Sequence, residues 1–438
     1  MALKYGGTKL STKTENNLIS VSIDLCRDYT QIAYCMGNMA EPDSVSTIAG
    51  EQKYLIPTEI GKLNNSDEWC IGDDALLREK NGEAMLADDI LKTILSEKSI
   101  VVGDNTYTGY EVLKHFFEGL FKILKTNYHI VQPDYISVTV EYPDRILVNL
   151  IRNVLNDMGY DREHVKIIGH SESIIYYMIY QKKEIWVNDV LIFDFTKHQF
   201  LVRLLTTVRA RVPQPIIVEE MDMTQKFRMS DLQTEQGRLE MDTKFLELLK
   251  KLCSKHIVSA VFLTGVGFYE KWMEDSIRFL CSKRRVFQGY NLFVKGAGYA
   301  NLSEIGIGNA DSYQFVCSGR TLVNIEVEVE KEDKNIPVIL SKAGTNWYEA
   351  GARAEGILDD SKELRLKIVS SLSKSEKEVV IDLRGFPPRP NKTTRIEIVL
   401  AYRNDRQCIV VVKDLGFGDF FKSSEEMVKK VIDIEDYL

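Results

Sequence analysis

Two segments of this chain run apolar up to an aspartate, turn within three residues and run apolar again. Leu18–Leu25 carries Asp24 and turns through Cys26, Arg27 and Asp28 into Tyr29–Met36. Asp189–Phe195 (DVLIFDF) carries Asp194 and turns through Thr196, Lys197 and His198 into Phe200–Leu205. Short runs rich in β-branched and aromatic residues, joined this tightly, read as hairpins. A hairpin tip that cradles an anion needs glycine, because its N–H groups must point inward and its backbone must approach the anion closely. Neither tip contains one.

Between the hairpins lies the best-patterned stretch, residues 134–183. YISVTV (135–140) reads as a strand, and Pro143 with Asp144 marks a stop and a helix start. Ile146, Leu147, Leu150, Ile151, Val154, Leu155 and Met158 then form one apolar face, ended by Gly159. HVKIIG (164–169) reads as a strand leading into HSES (170–173) and a helix over 174–181. Strand–helix–strand–helix implies an α/β layer architecture. Upstream, 18–62 reads as consecutive antiparallel strands, and 109–127 as a helix with Val112, Phe116, Leu120 and Leu124 one turn apart. After the second hairpin, 231–256 reads as a helix, and IVSAVFL (257–263) as a buried strand closed by Thr264-Gly265-Val266-Gly267. A helix over 268–282 follows, then a turn at Lys295-Gly296-Ala297-Gly298 and a last helix near 299–302. From about 320 the texture becomes alternating strands (TLVNIEVEVE, ELRLKIVSS, EVVIDLRG, RIEIVLAY, QCIVVVKD), as in an antiparallel sandwich. Residues 1–17 read as a loose polar arm and 423–438 as a charged helical tail. No internal repeat is evident.

The length of 438 residues suits two or three domains. A net charge of −8 argues against general nucleic-acid binding, which needs a concentrated basic surface. The seven cysteines, at 26, 35, 70, 253, 281, 317 and 408, include no C-x-x-C pair and read as thiols in a reducing compartment. No signal-peptide core and no membrane-length apolar run is present, so no membrane partner and a cytoplasmic location are expected.

The order of these segments resembles the DnaK-type seventy-kilodalton heat-shock chaperones of the actin-like ATPase superfamily. It runs from the hairpin with Asp24 through the 135–140 strand, Pro143, the helix-opening HSES and the hairpin with Asp194 to the strand closed by TGVG. The segment IDLRGFPPRPNKTTRIEIVLAYRNDRQCIVVVKD (381–414) is similar to that family's substrate-binding β domain, with Gly385, Pro387, Pro388 and Pro390 matching its Gly-x-Pro-Pro-x-Pro turn. The resemblance implies a two-lobed actin-like α/β ATPase domain over 18–318, reduced between 206 and 256. An antiparallel β-sandwich over 319–422 follows. It also exposes departures. Cys26, Arg27 and Asp28 stand where the family's first hairpin has glycine and threonines, and Phe195, Thr196, Lys197 and His198 replace the second hairpin's glycines. His170 aligns with a family glutamate, and the helical lid is missing.

By that resemblance Asp24 and Asp194 are the carboxylates that would hold hydrated magnesium beneath the phosphates, or else simply turn-capping residues. Arg27, Lys197 and His198 either rebuild an anion site from side chains or fill it by pairing with Asp24, Asp28 and Asp194. Gly265 and Gly267, and Gly296 and Gly298, are glycine pairs that suit a nucleotide loop or close packing. His170 and Glu172 offer a base with an orienting acid, while Ser171 and Glu172 equally suit helix capping. The expected function is a chaperone-like binding or scaffold protein, a pseudo-ATPase without cofactor, whose β domain takes a protein or peptide partner. The alternative is a Mg-ATP-dependent ATPase that uses Asp24, Asp194, Arg27 and Lys197.

Overall fold

The computed structural model describes residues 18–37, 39–48, 50–331, 334–359, 362–373 and 375–438. The arm expected over 1–17 lies outside them. The chain is mixed α/β with several sheets, followed by a β-rich carboxy-terminal region. It divides into two compact units. One takes residues up to 141, 146–180 and 290–308, and the other takes 142–145, 181–289 and 309–438.

In the first unit, Ile19–Leu25 is buried along almost its whole length, as expected of a strand covered on both faces. It pairs antiparallel with Tyr29–Met36 and parallel with Tyr135–Val140, which pairs parallel with Val165–Gly169. The helix Gly109–Tyr128 starts at Thr108, whose hydroxyl accepts from the Glu111 N–H while Glu111 reaches back, a reciprocal cap. Its predicted apolar face, Val112, Phe116, Leu120 and Leu124, is fully buried.

The second unit repeats this plan with different residues. Asp189–Phe195 pairs antiparallel with Phe200–Thr207 and parallel with Val258–Thr264, and Gln214–Asp222 extends the antiparallel side. In both sheets a hairpin's first strand is therefore flanked by a parallel strand, and its second by another antiparallel one. This duplication of strand order is compatible with the absence of an internal sequence repeat. It resides in strand order and direction, which dissimilar side chains such as ISVSIDL and DVLIFDF satisfy equally. Phe193, Phe195, Phe200, Phe227, Phe245, Phe268 and Trp272 pack into an aromatic core behind the second sheet.

One expected turn is a helix. Lys295–Gly298 lies inside Leu292–Glu304. A Cβ on Gly296 would come closer than 3.0 Å to the Ser173 carbonyl oxygen, and one on Gly298 would collide with Pro42. The glycines thus let this helix lie against its neighbours. Ser173 and Ser137 donate hydroxyl hydrogen bonds of 2.5 Å to its Phe293 and Ala297 carbonyls.

The β-rich region consists of two four-stranded antiparallel sheets around one core, which includes Val323, Ile325, Leu366 and Ile368 from one sheet and Ile396, Leu400, Val410 and Ile432 from the other. The helical tail expected over 423–438 is instead the strand Met427–Asp433 and a short 3-10 turn. Val428 packs against the core, Ile432 is buried in it, and so is Ile434, which opens the 3-10 turn; antiparallel pairing with Gln407–Gly416 holds Met427–Asp433 extended. The GFPPRP segment is clamped from behind. Arg389 donates bidentate hydrogen bonds of 2.6 and 2.7 Å to Asp414, which also accepts from the Ser424 N–H and hydroxyl. These donors hold the Asp414 carboxyl far below its ordinary value of 3.8. A carboxylate with a lowered folded pKa stabilises the fold above its ordinary value and loses that contribution as pH falls toward the folded one. Melting temperature is therefore expected to fall as pH drops below 3.8, less steeply in Asp414→Asn, which should lose about 1.5–3 kcal/mol at neutral pH. Acid melts of the two proteins followed by circular dichroism check this; parallel acid profiles would contradict it.

No helix among the described residues is long and apolar enough to cross a membrane.

Candidate functional site

The parallel strands of the first sheet end together: Leu25 is level with Val140, and Val140 with Gly169. In open α/β sheets ligands bind beyond such carboxyl ends. Three side chains converge there. Asp24 occupies the penultimate position of its strand, Cys26 follows that strand, and His170 opens the helix His170–Ile179 directly after Gly169. His170 Nε2 lies 2.8 Å from Asp24 Oδ1, and Cys26 Sγ lies 3.1 Å from the same oxygen and 3.4 Å from Nε2. Asp24 and His170 are 2 % and 1 % exposed, whereas Cys26 is half-buried. The imidazole stacks on Phe293 with centroids 3.7 Å apart and planes 5° from parallel, which fixes its orientation.

This arrangement reassigns His170. Its carboxylate is Asp24, 146 positions away, in place of the expected Glu172. Glu172 is buried and, with Tyr176 and Glu304, holds the Lys166 ammonium above its usual pKa range although burial alone would lower it. The expected capping by Ser171 and Glu172 is also corrected: this helix starts without a side-chain cap.

At the first hairpin's tip, Arg27 donates from Nε to Asp89 at 2.6 Å and again from its terminal nitrogen, and this bond raises its pKa. The expected hydrogen bonding to Asp24 or Asp28 gives way to Asp89, which also accepts from the Lys92 N–H at the start of the helix Ile90–Leu95. The Cys26 and Asp28 carbonyls accept from the Thr58 hydroxyl and N–H, closing the tip against the following segment.

At the second hairpin, Asp194 is buried and accepts from Arg203 at 3.4 Å. Arg203 is fully buried and also donates to Glu220 at 2.6 Å. Burial would favour losing its charge, but Glu220 and Asp194 outweigh that and keep the guanidinium protonated. Arg203 was missed in the sequence, yet a signal exists: an arginine in the middle of the apolar strand FLVRLL must find buried counter-charges. Thr196 Oγ1 accepts from the His198 and Gln199 N–H groups, so these two backbone donors are engaged within the turn. Lys197 and His198 are exposed. Gly265, at φ +90°, follows the strand parallel to that of Asp194. A Cβ on Gly265 would collide with the Phe195 backbone and one on Gly267 with the Phe195 ring, so both glycines serve close packing.

Together these features define a class: an α/β chain with a duplicated hairpin sheet, a buried Asp–Cys–His cluster in one copy and an Asp–Arg–Glu cluster in the other. Residues 41–318 match the family described as "Family of unknown function (DUF5716) C-terminal", and residues 320–434 match "Domain of unknown function (DUF8552)". The chain belongs to the DUF5716 family. No curated protein matches it.

Proposed function

We propose that this chain is a chaperone-like pseudo-ATPase, an actin-like scaffold with a degenerate nucleotide site whose β-rich region binds a protein or peptide partner. The observation that carries the reading is the state of the two hairpin carboxylates. Asp24 is engaged by His170 and Cys26, and Asp194 by a fully buried arginine of its own hairpin. Hydrated magnesium beneath a triphosphate needs such carboxylates free to accept from its waters. The internal use of the Thr196 turn's N–H groups points the same way, because those donors are what a phosphate would take. The duplicated sheet order supports the actin-like architecture. Fold alone does not assign an activity; the state of the two carboxylates bears on it directly.

For the partner, strands 394–404 and 407–416 are interior, each paired on both sides, and offer no free edge. The edge strand Lys334–Ser341 is the better candidate. It contains Pro337, a residue confined to edges and bulges, and exposes Ile336, Val338 and Ile339. An extended peptide would add to it as a further strand.

Calorimetric titration of Mg-ATP into the purified chain is expected to give no binding heat, and a phosphate-release assay no turnover. Binding or turnover abolished by Asp194→Asn would overturn the reading and favour the ATPase. Substituting Ile339→Lys in the full chain is expected to release partners that the unaltered chain retains in a pull-down.

A further inference from the structure

We infer that Asp24, Cys26 and His170 form a binding site for a borderline-soft divalent transition metal of the zinc type. This inference is independent of the proposed function: it concerns a different ion from magnesium and leaves Asp194 out of the ligand set.

The donor set argues first. One thiol sulfur, one imidazole nitrogen and one carboxylate oxygen lie within 4.8 Å of one another. Magnesium takes six oxygens and dehydrates reluctantly, whereas zinc accepts sulfur, nitrogen and oxygen together. The spacing argues second. An ion with zinc's usual bond lengths, ligated tetrahedrally, separates its ligand atoms by about 3.3–3.5 Å. The observed separations are 2.8, 3.1 and 3.4 Å, so ligation requires the atoms to spread by about half an ångström or less.

The mechanics agree. His170 presents Nε2 to both other ligands, and stacking on Phe293 holds the ring in that pose. Nδ1 is buried without a hydrogen-bond partner, so Nε2 is the ring nitrogen engaged at the cluster. In the metal-free arrangement the Cys26 thiol donates a hydrogen bond to Asp24 Oδ1. On binding, the Cys26 S–H bond breaks, the S–metal bond forms and one proton leaves to solvent. The proton by which Nε2 bonds Asp24 in the metal-free arrangement shifts to Nδ1, which frees the Nε2 lone pair for the ion. The imidazole is neutral before and after, and the carboxylate keeps its charge. Asp24 and His170 are buried and Cys26 is half-buried, so an ion would reach the cluster from the Cys26 side.

The test uses the full chain after chelator treatment, titrated with Zn2+ by calorimetry and with Co2+ by absorption spectroscopy. The expected results are one equivalent bound, a proton released per ion, and Co2+ spectra with tetrahedral d–d bands and a thiolate-to-metal charge-transfer band. Cys26→Ser, one atom different and folded by circular dichroism, should lose that band and weaken Zn2+ binding by more than about a hundredfold, since even outer-sphere partners are worth 10–100-fold. Cys281→Ser, at an exposed thiol, should change neither. A Co2+ spectrum without a thiolate band, a band that survives in Cys26→Ser, or displacement of Zn2+ by millimolar Mg2+ would each overturn the assignment.

Discussion

Replacing Arg203 with methionine is expected to destabilise the second unit by about 3–5 kcal/mol, the usual loss when one partner of a buried ion pair is removed. Arg203 is fully buried, and its guanidinium neutralises Asp194, which is 3 % exposed, and Glu220, which reaches solvent. Methionine fills much of the same volume, so the loss comes from leaving Asp194 charged in an apolar sheet rather than from a cavity. The double variant Arg203→Met with Asp194→Ala removes that charge and should recover most of the loss. Urea melts of the two variants, with hydrogen exchange of the 200–207 amides as a local readout, separate the cases. Equal losses in both would mean that packing, not charge, dominates at Arg203.

Gly265→Ala is expected to cost about 2–6 kcal/mol, combining positive-φ strain with overpacking. At φ +90° an L-residue is strained even in open space, and here the added Cβ meets the Phe195 carbonyl and amide, backbone that cannot swing aside. Gly296→Ala tests the close approach without the strain, because its Cβ would press on the Ser173 carbonyl of the neighbouring helix. It should lose less than Gly265→Ala, about 1–3 kcal/mol. Gly356→Ala, at a site open beyond 4 Å, is the control and should change little. If all three melt alike, glycine is not required at these turns and crossings.

Legibility followed the reach of the interactions. The strand Tyr135–Val140 and the helix Gly109–Tyr128 were readable because local periodicity and a local cap specify them. The strand Met427–Asp433 was hidden by its charge and spacing: Val428 and Ile432 lie four apart, as on a helix, with Lys429 and Lys430 between them, and only pairing with Gln407–Gly416 makes the segment extended. The helix around Gly296 was hidden for the opposite reason. Two glycines read locally as a turn, and only the approach of Ser173 and Pro42 explains why a helix carries them. At the candidate site, Asp24 and His170 were each conspicuous alone. Their pairing spans 146 positions and depends on parallel register, which no local pattern encodes.

The amino-acid sequence by itself determined the mixed α/β class, the change to continuous strands near 320 and the absence of glycine at both hairpin tips. Each follows from side-chain period or backbone freedom over a few residues. Tertiary structure alone decided which charges meet. It gave Arg27 to Asp89, Arg203 to Asp194 and Glu220, and His170 with Cys26 to Asp24. Buried polar groups must be satisfied by whatever the fold brings within about 3 Å, and that choice is made by strand order and register rather than by neighbours in the chain.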